Sequence, residues 1–222
     1  MSSDLDLLAH RVRPPEGEAQ GLLVLLHGRG VDELDLLPLG DALDPERRLV
    51  VVTPRAPLRL PPGGAHWYAV QRVGFPDPPS FWSTFEVLGR WLDALPVAFG
   101  VPWERAVLGG FSQGTVMSYA LGLGARRRPP AAVLALSGFI PTVEGFELEL
   151  AGLEGYPVAI GHGTLDPVIP VEFGRAARER LEAQGLDVLY RESAMGHTID
   201  PAFIEQLRPW LRQATTASAR AH

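Results

Sequence analysis

The sequence predicts an α/β domain of three layers, a mostly parallel sheet with helices on both faces. Three observations carry that expectation. Short apolar runs alternate along the chain with longer amphipathic stretches. The runs are apolar at consecutive positions, as strands covered on both faces require, and not at every second one. The 222 residues, 46% of them hydrophobic, suffice for one core without a disulfide or metal staple.

The elements follow in chain order. Leu22 to Leu26 is an aliphatic strand stopped by His27 and Gly28, and Glu33 to Leu43 then reads as a helix with acids in its first turn. Leu49 to Thr53 is a β-branched run ended by Pro54. The Pro- and Gly-rich stretch from Pro57 to Pro79 interrupts the alternation before a long helix predicted over Ser80 to Phe99. The strand Ala106 to Gly110 leads into a helix at Gln113 to Gly124, and the paired prolines 129 and 130 separate that helix from a strand at Ala131 to Ser137. A second interruption, Phe139 to Tyr156, precedes the strand Pro157 to Gly161. The helix Val171 to Gln184, the strand Asp187 to Glu192 and the helix Pro201 to Arg212, capped by Asp200, complete the series. One domain is expected over residues 1–213, with 214–222 as a frayed tail.

Composition excludes whole chemistries. The chain has 20 Lys and Arg residues, every one an arginine, so a Schiff-base lysine, a pyridoxal-phosphate anchor and a phosphate-loop lysine are impossible. With no cysteine there is no thiol nucleophile, thiolate-bound metal or disulfide framework. The net charge of −6 argues against nucleic acid as a partner, and Arg126 to Arg128 read as solvated charges at a helix end. The N-terminus lacks the basic start and apolar run of a secretory signal, and no stretch approaches a bilayer span. A cytoplasmic protein with no integral membrane association is the expectation, and a homodimer is left open.

Ligands of parallel sheets bind beyond the carboxyl ends of the strands, so reactive residues are sought in the loops that follow them. Gly110 to Gly114 spells G-F-S-Q-G between a strand and a helix. In that context the string matches a nucleophile elbow, a sharp turn that presents Ser112 at the sheet edge while flanking glycines remove clashing side chains. The helix that follows would aim its N-terminus at a developing oxyanion, with the Gln113 amide as one donor. The plainer alternative is a glycine-softened turn with a capping serine.

A serine hydroxyl needs a base, and the base an orienting acid. His197, in A-M-G-H-T-I, follows the last predicted strand, and Asp166, in H-G-T-L-D-P, follows the preceding one. Both lie where convergence on Ser112 requires. The other histidines are terminal, in the Pro-rich insertion, or before glycines at strand ends; Asp187 starts a strand and Asp200 caps a helix. The run L-L-H-G-R-G, Leu25 to Gly30, would turn the Arg29 amide toward a substrate carbonyl as second donor. A dinucleotide turn is the competing reading of Gly28 and Gly30, but Glu33 stands where the third glycine belongs and would repel a pyrophosphate. Asp32, Glu33 and Asp35 read as acids of a helix's first turn, so neither a metal nor a cofactor is expected.

The strings L-H-G-R-G, G-F-S-Q-G, H-G-T-L-D-P-V-I-P and M-G-H, in that order between residues 25 and 197, resemble the phospholipase/carboxylesterase family that includes the acyl-protein thioesterases. The resemblance implies an α/β-hydrolase fold without a large cap domain, a Ser112, Asp166, His197 triad, and hydrolysis of carboxylic esters or acyl thioesters. Relatives usually have glycine where this chain has Thr115, and often another residue at Arg29. The expected partner is a small-molecule or lipid-like acyl ester. Trp67, Tyr68, Phe75 and Trp82 of the insertion, with Phe139 and Ile140 after the strand ending at Ser137, are candidates for an apolar acyl groove. The rival functions are acyl transfer to an alcohol by the same triad, and a catalytically silent binding module.

Overall fold

The computed structural model describes residues 4–216. Its centre is a sheet of seven strands: β1 (His10–Arg13), β2 (Gly21–Leu26), β3 (Leu49–Pro54), β4 (Ala106–Phe111), β5 (Ala132–Leu136), β6 (Pro157–Gly163) and β7 (Asp187–Ser193). The helices are α1 (Leu37–Leu43), α2 (Pro78–Phe99), α3 (Gln113–Leu123), α4 (Glu172–Glu182) and α5 (Pro201–Thr216). The spatial order is β1-β3-β2-β4-β5-β6-β7, with β1 antiparallel to β3 and the other pairs parallel.

Continuous apolar strands lie inside because both their faces are covered. Leu22, Val24 and Leu26 pack with residues of α2 and α3, whereas Leu23 and Leu25 pack with α1 and α5. Each such leucine contributes roughly 1.5–3 kcal/mol through removal of its side chain from water. After β2 the chain crosses to β3 on one side and then to β4 on the other, so the sheet reverses its winding between β2 and β4. At such a reversal the loops at the strand ends diverge and leave a crevice. The loop after β2 carries His27 to Gly30, and the sharp turn from β4 into α3 carries Ser112.

The six predicted strands are all present, and the structure adds and shifts elements. β1 is a short polar edge strand. Helix α1 begins at Leu37 instead of Glu33, because the Asp32 carboxylate accepts from the Leu34 amide at 2.9 Å and turns the chain locally, while Pro38 suits a first helical turn. Residues 214–216, expected to fray, form the last turn of α5: Ala214 and Thr215 are buried, and Arg105 donates to the Thr215 carbonyl. The rest of the expected tail, 217–222, lies outside the described residues. The insertion folds as two small hairpins, Leu58–Leu60 with Gly64–His66 and Val70–Arg72 with Phe75–Pro76. Among the described residues no helix is long and apolar enough to cross a membrane.

Candidate active site

Ser112 stands between β4 and α3 with φ 57° and ψ −118°, a backbone conformation that a non-glycine residue adopts only when its surroundings force it. The surroundings do so. Its amide donates to the Leu136 carbonyl at 2.9 Å, and a Cβ at Gly110 or Gly114 would overlap backbone atoms of Gly114 and Leu26 respectively. Only glycines on either side let the turn close this tightly. Thr115, fully buried, adds a brace: its hydroxyl accepts from the Leu136 amide at 2.9 Å and lies 2.7 Å from the Gly110 and Leu136 carbonyls, tying α3 to the ends of β4 and β5.

Asp166 and His197 are brought together from the loops after β6 and β7. The Asp166 Oδ2 and His197 Nδ1 atoms are 2.6 Å apart. The other carboxylate oxygen accepts from the amides of Val168 and Ile169 at 2.8 and 2.9 Å. Burial alone would push the Asp166 carboxyl up; the bonds from His197, Ile169 and Val168 outweigh it and hold the group below the usual aspartate range. His162, also buried, sits behind this pair with Nε2 2.8 Å from the Ile169 carbonyl and 3.6 Å from Asp166 Oδ2. The His197 ring lies against Phe111, the residue before Ser112, with centroids 4.7 Å apart. Among the described residues no hydrogen bond joins the Ser112 hydroxyl to His197; such bonds are often long before substrate arrives. The loop of His197 is clamped by Asp200, whose carboxylate takes Arg191 and Ser193 at 2.5 Å and the Ala202 amide at 2.8 Å.

The Arg29 and Gln113 amides flank the crevice, and among the described residues neither donates to a protein acceptor. The Gln113 side chain has a separate task. Its oxygen accepts from the Trp67 amide and its nitrogen donates to the Tyr68 carbonyl, both at 3.0 Å, so it staples the insertion to the elbow. The Trp67 indole in turn donates to the His27 carbonyl at 2.7 Å.

The aromatic candidates for an acyl groove are not brought together in one place. Trp67 and Tyr68 are buried and pack inside the insertion: the Trp67 amide and indole are bonded to Gln113 and to the His27 carbonyl, and the Tyr68 carbonyl accepts from Gln113. Phe139 is buried against Phe173, and Ile140 packs with a different apolar cluster around Tyr119 and Tyr156. Trp82 is half-buried, edge-on to Phe81 and Phe85, with its indole N–H on the Glu144 carbonyl. Phe75 remains 49% exposed, at the tip of a hairpin whose Gly74 abuts Phe173. Leu165 and Val168, not singled out in the sequence, are 69% and 48% exposed on either side of Asp166; apolar residues in a polar-flanked loop were the available signal. Among the described residues no cluster of His, Asp or Glu is placed to hold a metal ion.

A parallel sheet reversing at β2 and β4, with a strained serine on the strand-to-helix turn and an Asp–His pair on the later loops, defines an α/β-hydrolase. The chain belongs to the phospholipase/carboxylesterase family of hydrolases, whose pattern it matches over residues 8–215. It is 28% identical over 234 residues to acyl-protein thioesterase 1 of Cryptococcus neoformans, covering 93% of this chain and 98% of that one. Its match to acyl-protein thioesterase 1 of Gibberella zeae is 33% identical over 118 residues and spans only about half of each, 51% and 50%. Among solved structures, esterase PE8 is 30% identical with a TM-score of 0.77, covering 93% of this chain and 99% of its own. The Bacillus cereus carboxylesterase shares the fold at a TM-score of 0.81, over 96% of this chain and 100% of its own, with 23% identity.

Proposed function

We propose that this protein is a serine esterase that cleaves carboxylic esters, with acyl thioesters as related substrates, through an acyl-enzyme on Ser112. The observation that carries the reading is the strained Ser112 at the N-terminus of α3, one residue from the ring that packs on the Asp166–His197 pair. Ser112 Oγ attacks the acyl carbon as His197 takes its proton through Nε2. The carbonyl oxygen becomes an oxyanion that accepts from the Arg29 and Gln113 amides. Asp166, hydrogen-bonded at Nδ1, fixes the tautomer and offsets the charge that forms on the imidazolium. Collapse breaks the bond to the alcohol or thiol, which leaves with the proton from His197. Water, deprotonated by His197, attacks the acyl-serine and releases the acid.

The esterase and thioesterase names of the relatives support both leaving groups. Among the exposed apolar residues, Leu165 and Val168 beside Asp166 and Phe75 of the insertion would meet the acyl chain. Rapid mixing with a p-nitrophenyl ester should give a burst of one nitrophenolate per chain, and acid quenching should leave the acyl group on the peptide that carries Ser112. Turnover without a burst, and with no acylated peptide under any quench condition, would refute a covalent route. Adding methanol distinguishes hydrolase from acyltransferase, since the latter yields methyl ester in preference to acid even when the alcohol is dilute.

A further inference from the structure

Two buried histidines lie outside the Asp166–His197 pair, and one of them reaches the proposed oxyanion hole. His27 is 1% exposed, at the end of β2. Its Nε2 receives the Ala56 backbone amide at 3.0 Å, and its Nδ1 lies 2.6 Å from the Gly28 carbonyl oxygen. An amide N–H can only donate, so Nε2 must be the unprotonated nitrogen. The single ring proton is therefore on Nδ1, where it donates to the Gly28 oxygen. Both ring nitrogens are satisfied in this one neutral tautomer and in no other protonation state.

The consequence passes through one peptide unit. The Gly28 carbonyl and the Arg29 N–H are opposite edges of the same planar trans amide, so an oxygen pinned toward His27 turns the N–H the other way. That unit stands against the elbow: a Cβ at Gly28 would lie 3.6 Å from the Ser112 Cβ and 3.2 Å from the Phe111 ring. The neighbouring Gly30 amide is used up on the Ala65 carbonyl at 2.8 Å, whereas the Arg29 amide has no protein acceptor among the described residues. Trp67 holds the His27 carbonyl from the other side and is itself bonded to the Gln113 side chain, so one network supports both expected donors.

We propose that His27 is a positioning residue for the oxyanion hole: as the Nδ1–H tautomer it fixes the Gly28–Arg29 peptide so that the Arg29 amide faces the reacting carbonyl. This rests on the acyl-enzyme reading above. Burial also keeps the ring neutral, holding its pKa below the usual histidine range.

Two near-isosteres separate the bonds of the ring. His27→Asn places an amide N–H near the Nδ1 position and keeps the bond to Gly28 while losing that to Ala56. His27→Gln places a carbonyl oxygen near Nε2, keeps Ala56 and loses Gly28. A donor that acts only in the transition state shows in kcat, and losing one costs about 10²–10³-fold. On p-nitrophenyl acetate the Gln variant should lose about that much kcat with KM nearly unchanged, and the Asn variant should lose at least tenfold less. A residue that merely anchors the loop to Ala56 gives the reverse order, which overturns the proposal, as does an equal loss in both. Should either variant fail to fold, long-range ¹H–¹⁵N correlation on the wild-type protein decides: His27 must be Nδ1–H, and an Nε2–H signal refutes the proposal. The two readings fail separately. A wild type that gives neither a nitrophenolate burst nor an acylated Ser112 peptide removes the acyl-enzyme; an acylated Ser112 with the reversed or equal order of variants removes only the role of His27.

Discussion

Asp166→Asn should abolish most turnover without unfolding the protein, and the geometry says why. One carboxylate oxygen accepts two backbone amides, from Val168 and Ile169, at 2.8 and 2.9 Å, and the other faces His197 Nδ1 at 2.6 Å. A side-chain amide at this position has one acceptor and one donor end. The two inward-pointing N–H groups select the carbonyl end, so the NH₂ is driven to the side of His197. Nδ1 must then accept, the ring proton moves to Nε2, and Nε2 can no longer take a proton from Ser112. In serine hydrolases the wrong tautomer costs about 10⁴ in kcat, which corresponds to about 5.5 kcal/mol of activation free energy. The assay is kcat and KM on p-nitrophenyl acetate, with a thermal melt to confirm that the variant is folded. A loss below tenfold in a folded variant would refute the role given to Asp166.

Three further outcomes follow from particular contacts. Thr115→Ala removes the acceptor of a buried amide, Leu136 N–H, and should cost about 1–3 kcal/mol, read as a fall of roughly 2–4 °C in Tm per kcal/mol. Asp200 is held near pKa about 2, first by the Ser193 hydroxyl and then by Arg191. A carboxyl depressed in the folded state stabilises above its ordinary pKa, about 4, and loses that contribution as pH falls through about 2. Urea unfolding should therefore show a decline in stability over that window that is shallower in Asp200→Asn; identical slopes would contradict it. Phe75→Ala should lower kcat/KM for an octanoyl ester about tenfold, the loss of about two methylene contacts at roughly 0.8 kcal/mol each, and leave an acetyl ester unchanged. Parallel loss on both esters would make Phe75 scaffold.

The sheet was legible because strands covered on both faces advertise themselves as unbroken apolar runs, as Leu22 to Leu26 does. The edge strand His10–Arg13 was invisible for the converse reason: an edge with three of four residues charged or histidine carries no apolar run. The insertion hairpins were equally silent, their pairing set by tertiary contacts such as Gly30 to Ala65 and not by local pattern. At the proposed site, Ser112, Asp166 and His197 could be singled out because each sits in a glycine-bearing turn or loop at a strand's end, and the structure pairs the last two. What surrounds them could not. Whether an aromatic lines a groove or fills a core depends on which way an irregular loop turns it, so nothing in the local sequence separates the buried Trp67 and Tyr68 from the exposed Phe75. The tautomer of His27 depends on Ala56, far along the chain, and has no signature in L-H-G-R-G.

The most direct test is the turnover of Ser112→Ala. Removing one buried hydroxyl leaves almost no cavity, so the variant should melt close to the wild type while the covalent route disappears. Loss of such a nucleophile costs on the order of 10⁶ in kcat where the serine, its base and its acid act as a unit. The account predicts a fall toward that magnitude on p-nitrophenyl acetate, with no nitrophenolate burst and no labelling by a fluorophosphonate. A folded Ser112→Ala protein that keeps more than about a tenth of wild-type kcat would contradict it.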